Sequence, residues 1–201
     1  MIEVKSIPLN EIDKVVTIHQ AAFEGFFLTE LGHDFLKLYY SSLAASESGI
    51  LKGCYEDGQL LAFSASALHA AGFNKKLIKE NFSKFFVFGV KFLFKDFRIL
   101  VRLLKNFSKN NNDTHNDNGN YAELLSIGVD TNQQGKGLGK SLLVQLEEDV
   151  KAKGIFILSL TTDFFDNDKV VGFYKTMGYE VFYDFTTYPN RRMYRMIKTI
   201  K

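Results

Sequence analysis

The run Gln134-Gly135-Lys136-Gly137-Leu138-Gly139-Lys140 separates an apolar, strand-like segment from an amphipathic, helix-like one, and it constrains the fold more than any other stretch of the chain. Its three glycines permit turn conformations that a Cβ forbids and let a ligand approach the main chain closely. A helix that opens there has unpaired amides in its first turn and directs the positive end of its dipole outward. Strand, glycine turn and helix N-terminus together predict an anion cradle within an α/β fold.

The pattern on either side supports that class. Residues 2–6 alternate apolar and polar as a half-buried strand does, and residues 8–23 place Leu9, Ile12, Val15, Val16 and His19 at helical spacing. A second helix is expected over residues 29–46, with Thr29 as N-cap, Leu31, Phe35, Leu38 and Leu43 on one side, and Gly49 beyond its end. Residues 50–55 and 59–68 read as strands joined by Glu56-Asp57-Gly58, whose Asp-Gly pair is a hairpin signal. After residue 120 the chain reads strand (121–129), helix (136–151), strand (155–161), helix (167–177) closed by Gly178, and a final hairpin around Tyr188-Pro189-Asn190. With 201 residues, 46% of them apolar, the expectation is one domain over residues 1–201.

Charge is unevenly distributed. The total is +2, yet residues 73–109 hold ten basic and two acidic side chains, so the remainder is net acidic. Over residues 84–109, Phe86, Val90, Leu93, Phe97, Leu100, Leu104 and Phe107 recur every three or four positions, with lysines and arginines opposite. That predicts a basic amphipathic helix inserted between the third and fourth strands, closed off by an Asn/Asp-rich loop over residues 110–120. Three readings stand open: a cover packed by its Phe-rich face on its own domain or on a second subunit in a homodimer; peripheral contact with a membrane surface; and nucleic-acid binding, disfavoured because no base-reading module accompanies the charge.

The single Cys54 excludes an internal disulfide, the N-terminus lacks a signal peptide's basic and apolar regions, and no apolar run reaches the roughly 20 residues of a membrane span. A cytoplasmic protein is expected, peripheral at the inner membrane face at most. No zinc-ligand spacing, Walker loop or Ser-His-Asp arrangement occurs, so no metal is expected.

Three landmarks, in order, resemble the GNAT superfamily of acetyl-CoA-dependent N-acetyltransferases. Gln134-x-x-Gly137-x-Gly139 resembles that family's glycine motif, [QR]-x-x-G-x-[GA], after the fourth strand. Upstream lies Glu123-Leu124-Leu125-Ser126-Ile127-Gly128-Val129. Downstream, Asn167-x-x-Val170-x-x-x-Tyr174-x-x-x-Gly178-Tyr179 is similar to the family's N-x-x-A-x-x-x-Y-x-x-x-G-F stretch, with Val for Ala and Tyr for Phe. The resemblance covers residues 121–182 by motif and residues 1–70 by element order; it does not reach the basic insert. It implies a mixed, mostly antiparallel central sheet flanked by helices, with acetyl-CoA as co-substrate.

It also implies roles. Gln134, Gly135, Lys136, Gly137, Leu138, Gly139 and Lys140 would hold the coenzyme pyrophosphate. Ile127, Gly128 and Val129 would offer main-chain groups to the pantetheine arm and thioester carbonyl. Asn167 would bind the pantetheine or, alternatively, serve as a helix N-cap. Tyr174 would be the general acid toward the departing thiolate, and Glu123 the general base toward the amine. His19, His33 and His69 compete for the base role or for acceptor binding. Phe26, Phe27, Leu28, Thr29 and His33 are the candidate acceptor-binding residues; Phe26-Phe27-Leu28-Thr29-Glu30-Leu31-Gly32 resembles a stretch in a bacterial GNAT subgroup linked to cell-surface polysaccharide genes.

The expected reaction is transfer of an acetyl group to the primary amine of a small molecule by direct attack, with an amino sugar or nucleotide-linked amino sugar favoured as acceptor. A protein-lysine acetyltransferase and a non-catalytic module binding coenzyme A or a membrane surface are the alternatives.

Overall fold

The computed structural model describes residues 1–95, 97–108 and 117–201, without the side chains of Lys95, Leu104 and residues 106–108. Leu104 and Phe107 of the expected apolar stripe, and residues 110–116 of the expected loop, therefore lie outside the described residues. The fold is mixed α/β, with seven mostly antiparallel strands and helices beside them. It divides into two compact units, Met1–Leu68 with Leu124–Lys153 and His69–Glu123 with Gly154–Lys201.

The first unit contains β1 (Glu3–Ser6), α1 (Ile12–Ala22), the single turn α2 (Phe27–Glu30), α3 (His33–Ala45), β2 (Gly49–Glu56) and β3 (Gln59–Ala67). It also holds most of β4 (Ala122–Val129) and all of α7 (Leu138–Ala152). Its strands neighbour one another in the order β1-β2-β3-β4. The β2–β3 turn is the predicted hairpin: Glu56 pairs with Gln59, and Asp57 and Gly58 stand at φ 50° and 78°, as a two-residue loop of this twist requires. β3 is buried along all but its first residue, so both of its faces are covered.

The faces are told apart by alternation along β4. Ile127 and Val129 pack on a cluster of Cys54, Leu61, Ala62, Leu138 and Leu142, which includes the start of α7. Gly128 faces the other way, against the ring of Phe63, and Ser126 on the same side bonds Tyr40 of α3. Burial of Leu138, Leu142, Leu143, Leu146 and Val150 at helical spacing fastens α7 to the sheet.

One expectation fails locally. The helix read over residues 29–46 is interrupted, because Gly32 at φ 89° leaves the helical path and begins α3 one residue later. Thr29 is not its N-cap; the Thr29 hydroxyl donates to the carbonyl of Phe23 at 2.7 Å.

The second unit contains α4 (Phe73–Glu80), α5 (Phe82–Lys95), α6 (Phe97–Ser108), the first two residues of β4, β5 (Ile157–Asp163), α8 (Asp168–Thr176), β6 (Glu180–Thr187) and β7 (Arg191–Thr199). β7 pairs antiparallel with β5 on one side and with β6 on the other. Gly178 at φ 86° follows α8 and ends it, as the sequence predicted. The helical segment between β3 and β4 is present as α4, α5 and α6. Its expected apolar side is not inward, however: Phe86, Leu93 and Phe97 are 57%, 50% and 60% exposed, while Phe85 and Phe92 are buried.

Candidate active site

In the first unit the glycine turn has the conformation its composition predicts. Gly135 and Gly137 stand at φ 81° and 78°, and a Cβ on either would project into open space. Side chains are thus excluded by backbone conformation and not by crowding, which keeps this side of the turn clear for a ligand. Gly137 precedes α7, no described side chain caps the helix, and its first turn holds no acidic residue. Lys140 lies in that first turn, with its cation at the positive end of the dipole, an arrangement that is unfavourable by a few tenths of a kcal/mol unless an anion lies there. Lys136 reaches Gln133 Oε1 at 2.5 Å. Gln134 and Lys136 are exposed, whereas Leu138 is buried in the core and anchors the turn. Main-chain amides, two lysines and no competing carboxylate suit a diphosphate.

β4 runs into this turn. Because the Ile127 and Val129 side chains are committed to the core, only their main-chain groups can serve a ligand. Behind β4 lies a buried polar relay that sequence reasoning did not assemble. The Tyr40 hydroxyl meets His19 Nδ1 at 2.7 Å and also bonds Ser126 of β4. His19 is 2% exposed, and burial pushes its imidazole down to about 4, so it is neutral at pH 7. Its Nε2 finds no partner among the described residues. Tyr40 is driven upward by the same burial. A histidine enclosed among Phe23, Tyr40 and Phe63, with ring centroids 4.8 to 6.4 Å away, is a core group that supports β4.

Phe26 and Thr29 gather beside this relay. The Phe26 ring sits edge-on to Phe23 at 5.5 Å and remains 37% exposed, while Phe27 and Leu28 are half-buried. His33 is not part of the group: its Nε2 lies 3.6 Å from Asp13 and its Nδ1 3.7 Å from Asp34, on the outside of the helices. His69 is exposed beyond the end of β3.

The second unit places Glu123 against Arg195. Arg195 Nη1 donates to Glu123 Oε1, and the same nitrogen donates to Ser159 Oγ at 2.9 Å. Desolvation opposes the Arg195 charge, yet the Glu123 carboxylate outweighs it and holds the guanidinium above its ordinary value. Beside this pair, Asp117 Oδ2 accepts from Tyr121 at 2.5 Å and from Tyr183 at 2.7 Å, and Oδ1 accepts from the Gly119 amide at 2.9 Å. Burial disfavours the Asp117 anion, but these three donors prevail and keep its carboxyl below the usual range. Burial and the same carboxylate push Tyr183 up to about 12. The sequence offered two signals for this network: an arginine inside the apolar run Met193-Tyr194-Arg195-Met196-Ile197, and an aspartate at the edge of the Asn-rich stretch.

Tyr174 of α8 is 6% exposed, with its ring 5.8 Å from that of Tyr179. Burial pushes its phenol up to about 12, so the hydroxyl keeps its proton at neutral pH, the form a general acid needs. Asn167 occupies the N-cap position of α8 without capping it. Its amide donates instead to Thr162 Oγ1 at 2.7 Å and to the Asp163 carbonyl at 2.9 Å, which ties the helix to the end of β5.

Among the described residues no group of three or more His, Cys, Asp or Glu is placed to hold a metal ion. A cavity of about 320 Å³ in the first unit, lined by Ile7, Ile50, Lys52, Asp149 and Lys153 among others, shares no lining residue with the glycine turn.

Residues 12–179 match the model of the acetyltransferase (GNAT) family. The chain belongs to the GNAT family. It is an acyl-CoA-dependent N-acyltransferase. Solved structures agree on the fold. The ribosomal-protein-S18-alanine N-acetyltransferase of Escherichia coli is 16% identical at a TM-score of 0.62, covering 100% of this chain and 95% of its own. The ribosomal-protein-alanine N-acetyltransferase of Brucella melitensis is 12% identical at 0.65, covering 98% and 99%. PaiA N-acetyltransferase of Thermoplasma acidophilum, in complex with coenzyme A, is 15% identical at 0.55, covering 99% of each chain. No curated protein matches by sequence.

Proposed function

We propose that this GNAT protein transfers the acetyl group of acetyl-CoA to the primary amine of a small molecule, and that the acceptor is an amino sugar or a nucleotide-linked amino sugar. The observation that carries the donor half is the open glycine turn before an uncapped, acid-free α7, flanked by Lys136 and Lys140. When bound there, acetyl-CoA supplies an activated thioester. The amides of Gln134 to Lys140 hold its diphosphate, and the main chain at Ile127, Gly128 and Val129 pairs with the pantetheine arm.

Attack requires a neutral amine, so one proton must leave nitrogen and another must reach sulfur. Glu123 takes the first: with Oε1 committed to Arg195, its Oε2 remains for the amine or a bridging water. Tyr174 gives the second, because its buried phenol is protonated at every physiological pH. Asn167 fixes the start of α8, and with it the helix that carries Tyr174. The acceptor half rests on the α2 segment, where Phe26 presents a partly exposed ring above the Phe23–His19 pair and offers an apolar face of the kind on which a sugar ring stacks.

The test is release of coenzyme thiol from acetyl-CoA with a panel of amino sugars, nucleotide-linked amino sugars, polyamines and peptides. Turnover on the sugars, lowered by Phe26→Ser, supports the acceptor; turnover confined to peptides overturns it. Gly137→Val should raise the KM for acetyl-CoA about tenfold or more, because a β-branched residue does not hold φ 78°.

A further inference from the structure

Helix α5 is apolar on two sides, and among the described residues only one of them is covered. Phe85 and Phe92 are buried. On the other side Phe82, Phe86, Val90 and Leu93 recur at i, i+4, i+8 and i+11, one stripe of an α-helix, and are 62%, 57%, 36% and 50% exposed. Phe94 and Val87 widen the stripe at 88% and 51%, and Phe97 at the start of α6 is 60% exposed. The Phe82 and Phe86 rings meet at a tilt with centroids 5.7 Å apart, and the helical spacing sets Val90 and Leu93 on the same stripe. Contiguous exposed aromatics on this scale mark a surface built to be covered.

Charge selects what covers it. Lys84 and Lys91 lie on the border between the buried and exposed stripes, and both are exposed. Lys75, Lys76 and Lys79 of α4, Arg98 and Lys105 are exposed as well. The only described acidic side chain from residue 73 to residue 105 is Glu80, engaged by Lys76 at 3.8 Å. A second copy docked by the same face would bring these lysines against their own kind. A surface of anionic lipid headgroups neutralises them while its acyl region takes up the phenylalanines. No helix of the described residues is long and apolar enough to cross a membrane, so the contact lies in the plane of the surface.

We propose that the outer face of α5, through Phe82, Phe86, Leu93 and Phe94 with Lys84 and Lys91 as its cationic border, docks the enzyme on an anionic lipid bilayer. None of these side chains is among the residues assigned to acetyl transfer, so the proposal stands independently of which amine is the acceptor.

Co-sedimentation of the full chain with phosphatidylcholine vesicles and with mixed phosphatidylcholine–phosphatidylglycerol vesicles tests it, alongside F86S/F94S and K84E/K91E double variants. All four positions are exposed, and an unchanged thermal melt and acetyl-CoA affinity certify the fold of each variant. Partition onto the phosphatidylglycerol vesicles only, reduced about tenfold or more in each double variant and weakened by salt, is the expected result. Absence of partition, or equal partition of wild type and both variants, overturns the proposal. A lipid-free dimer that F86S/F94S converts to monomer in sedimentation equilibrium also overturns it, since the face is then an interface between copies.

Discussion

His19 makes the stability of this protein depend on pH in a way that can be worked from its surroundings. The imidazole is enclosed by Phe23, Tyr40 and Phe63, and its folded-state value falls from the ordinary 6.5 to about 4 through desolvation. The folded protein therefore binds fewer protons than the unfolded chain between those two values. Since the slope of unfolding free energy with pH follows the proton excess of the unfolded state, stability is full above pH 6.5 and declines as pH falls toward 4. At about 1.4 kcal/mol per pH unit over that interval, the loss from this one residue is about 3 kcal/mol at pH 4. Carboxylates such as Asp117 titrate in the same direction, so the wild type alone does not isolate it. The comparison that does is urea unfolding of wild type and His19→Phe at pH 7 and pH 4. The variant loses the Tyr40 hydrogen bond at both pH values, but it lacks the titration. The gap between the two proteins should shift by about 3 kcal/mol in the variant's favour on going to pH 4. Gaps equal at the two pH values to within about 0.5 kcal/mol would refute the burial argument and place His19 in contact with water.

Three further outcomes follow from the same geometry. A Cβ on Gly128 would stand 2.7 Å from Phe63 Cε1, and Phe63 is fully enclosed; Gly128→Ala should cost roughly 1–3 kcal/mol, read as a lowered Tm, with the acetyl-CoA KM raised because β4 must shift. Arg195→Leu strands the Glu123 carboxylate, whose side chain is 15% exposed, and should cost about 3 kcal/mol in chemical denaturation; the double variant with Glu123→Leu should recover most of that loss. Tyr174→Phe should leave the melting temperature within about a degree or two, since it keeps the buried ring and its contact with Tyr179, while kcat for thiol release falls roughly 10²-fold or more; an unchanged kcat would remove Tyr174 from the acid role.

Local rules made much of this fold legible in its sequence. Glycines at 135 and 137 announce a turn that other residues disfavour, Asp57-Gly58 announces its hairpin, and Gly178 announces the end of α8, because in each case one backbone dihedral decides the outcome. The order of strands and helices followed from periodicity, and the family from three motifs whose spacing is local. Gly32 was local too, but its positive φ competed with a helical pattern strong enough to run through it.

Tertiary structure decided which of two apolar stripes on α5 is buried, since hydrophobic periodicity locates faces but not the surfaces they meet. It also decided the company of the polar side chains. Glu123 meets Arg195 across 72 residues of chain, Asp117 meets Tyr183 across 66, and His19 meets Tyr40 across 21. No spacing rule spans such separations. Hydrogen bonds and ion pairs act over a few ångströms in space, and only the folded chain brings those residues within that reach.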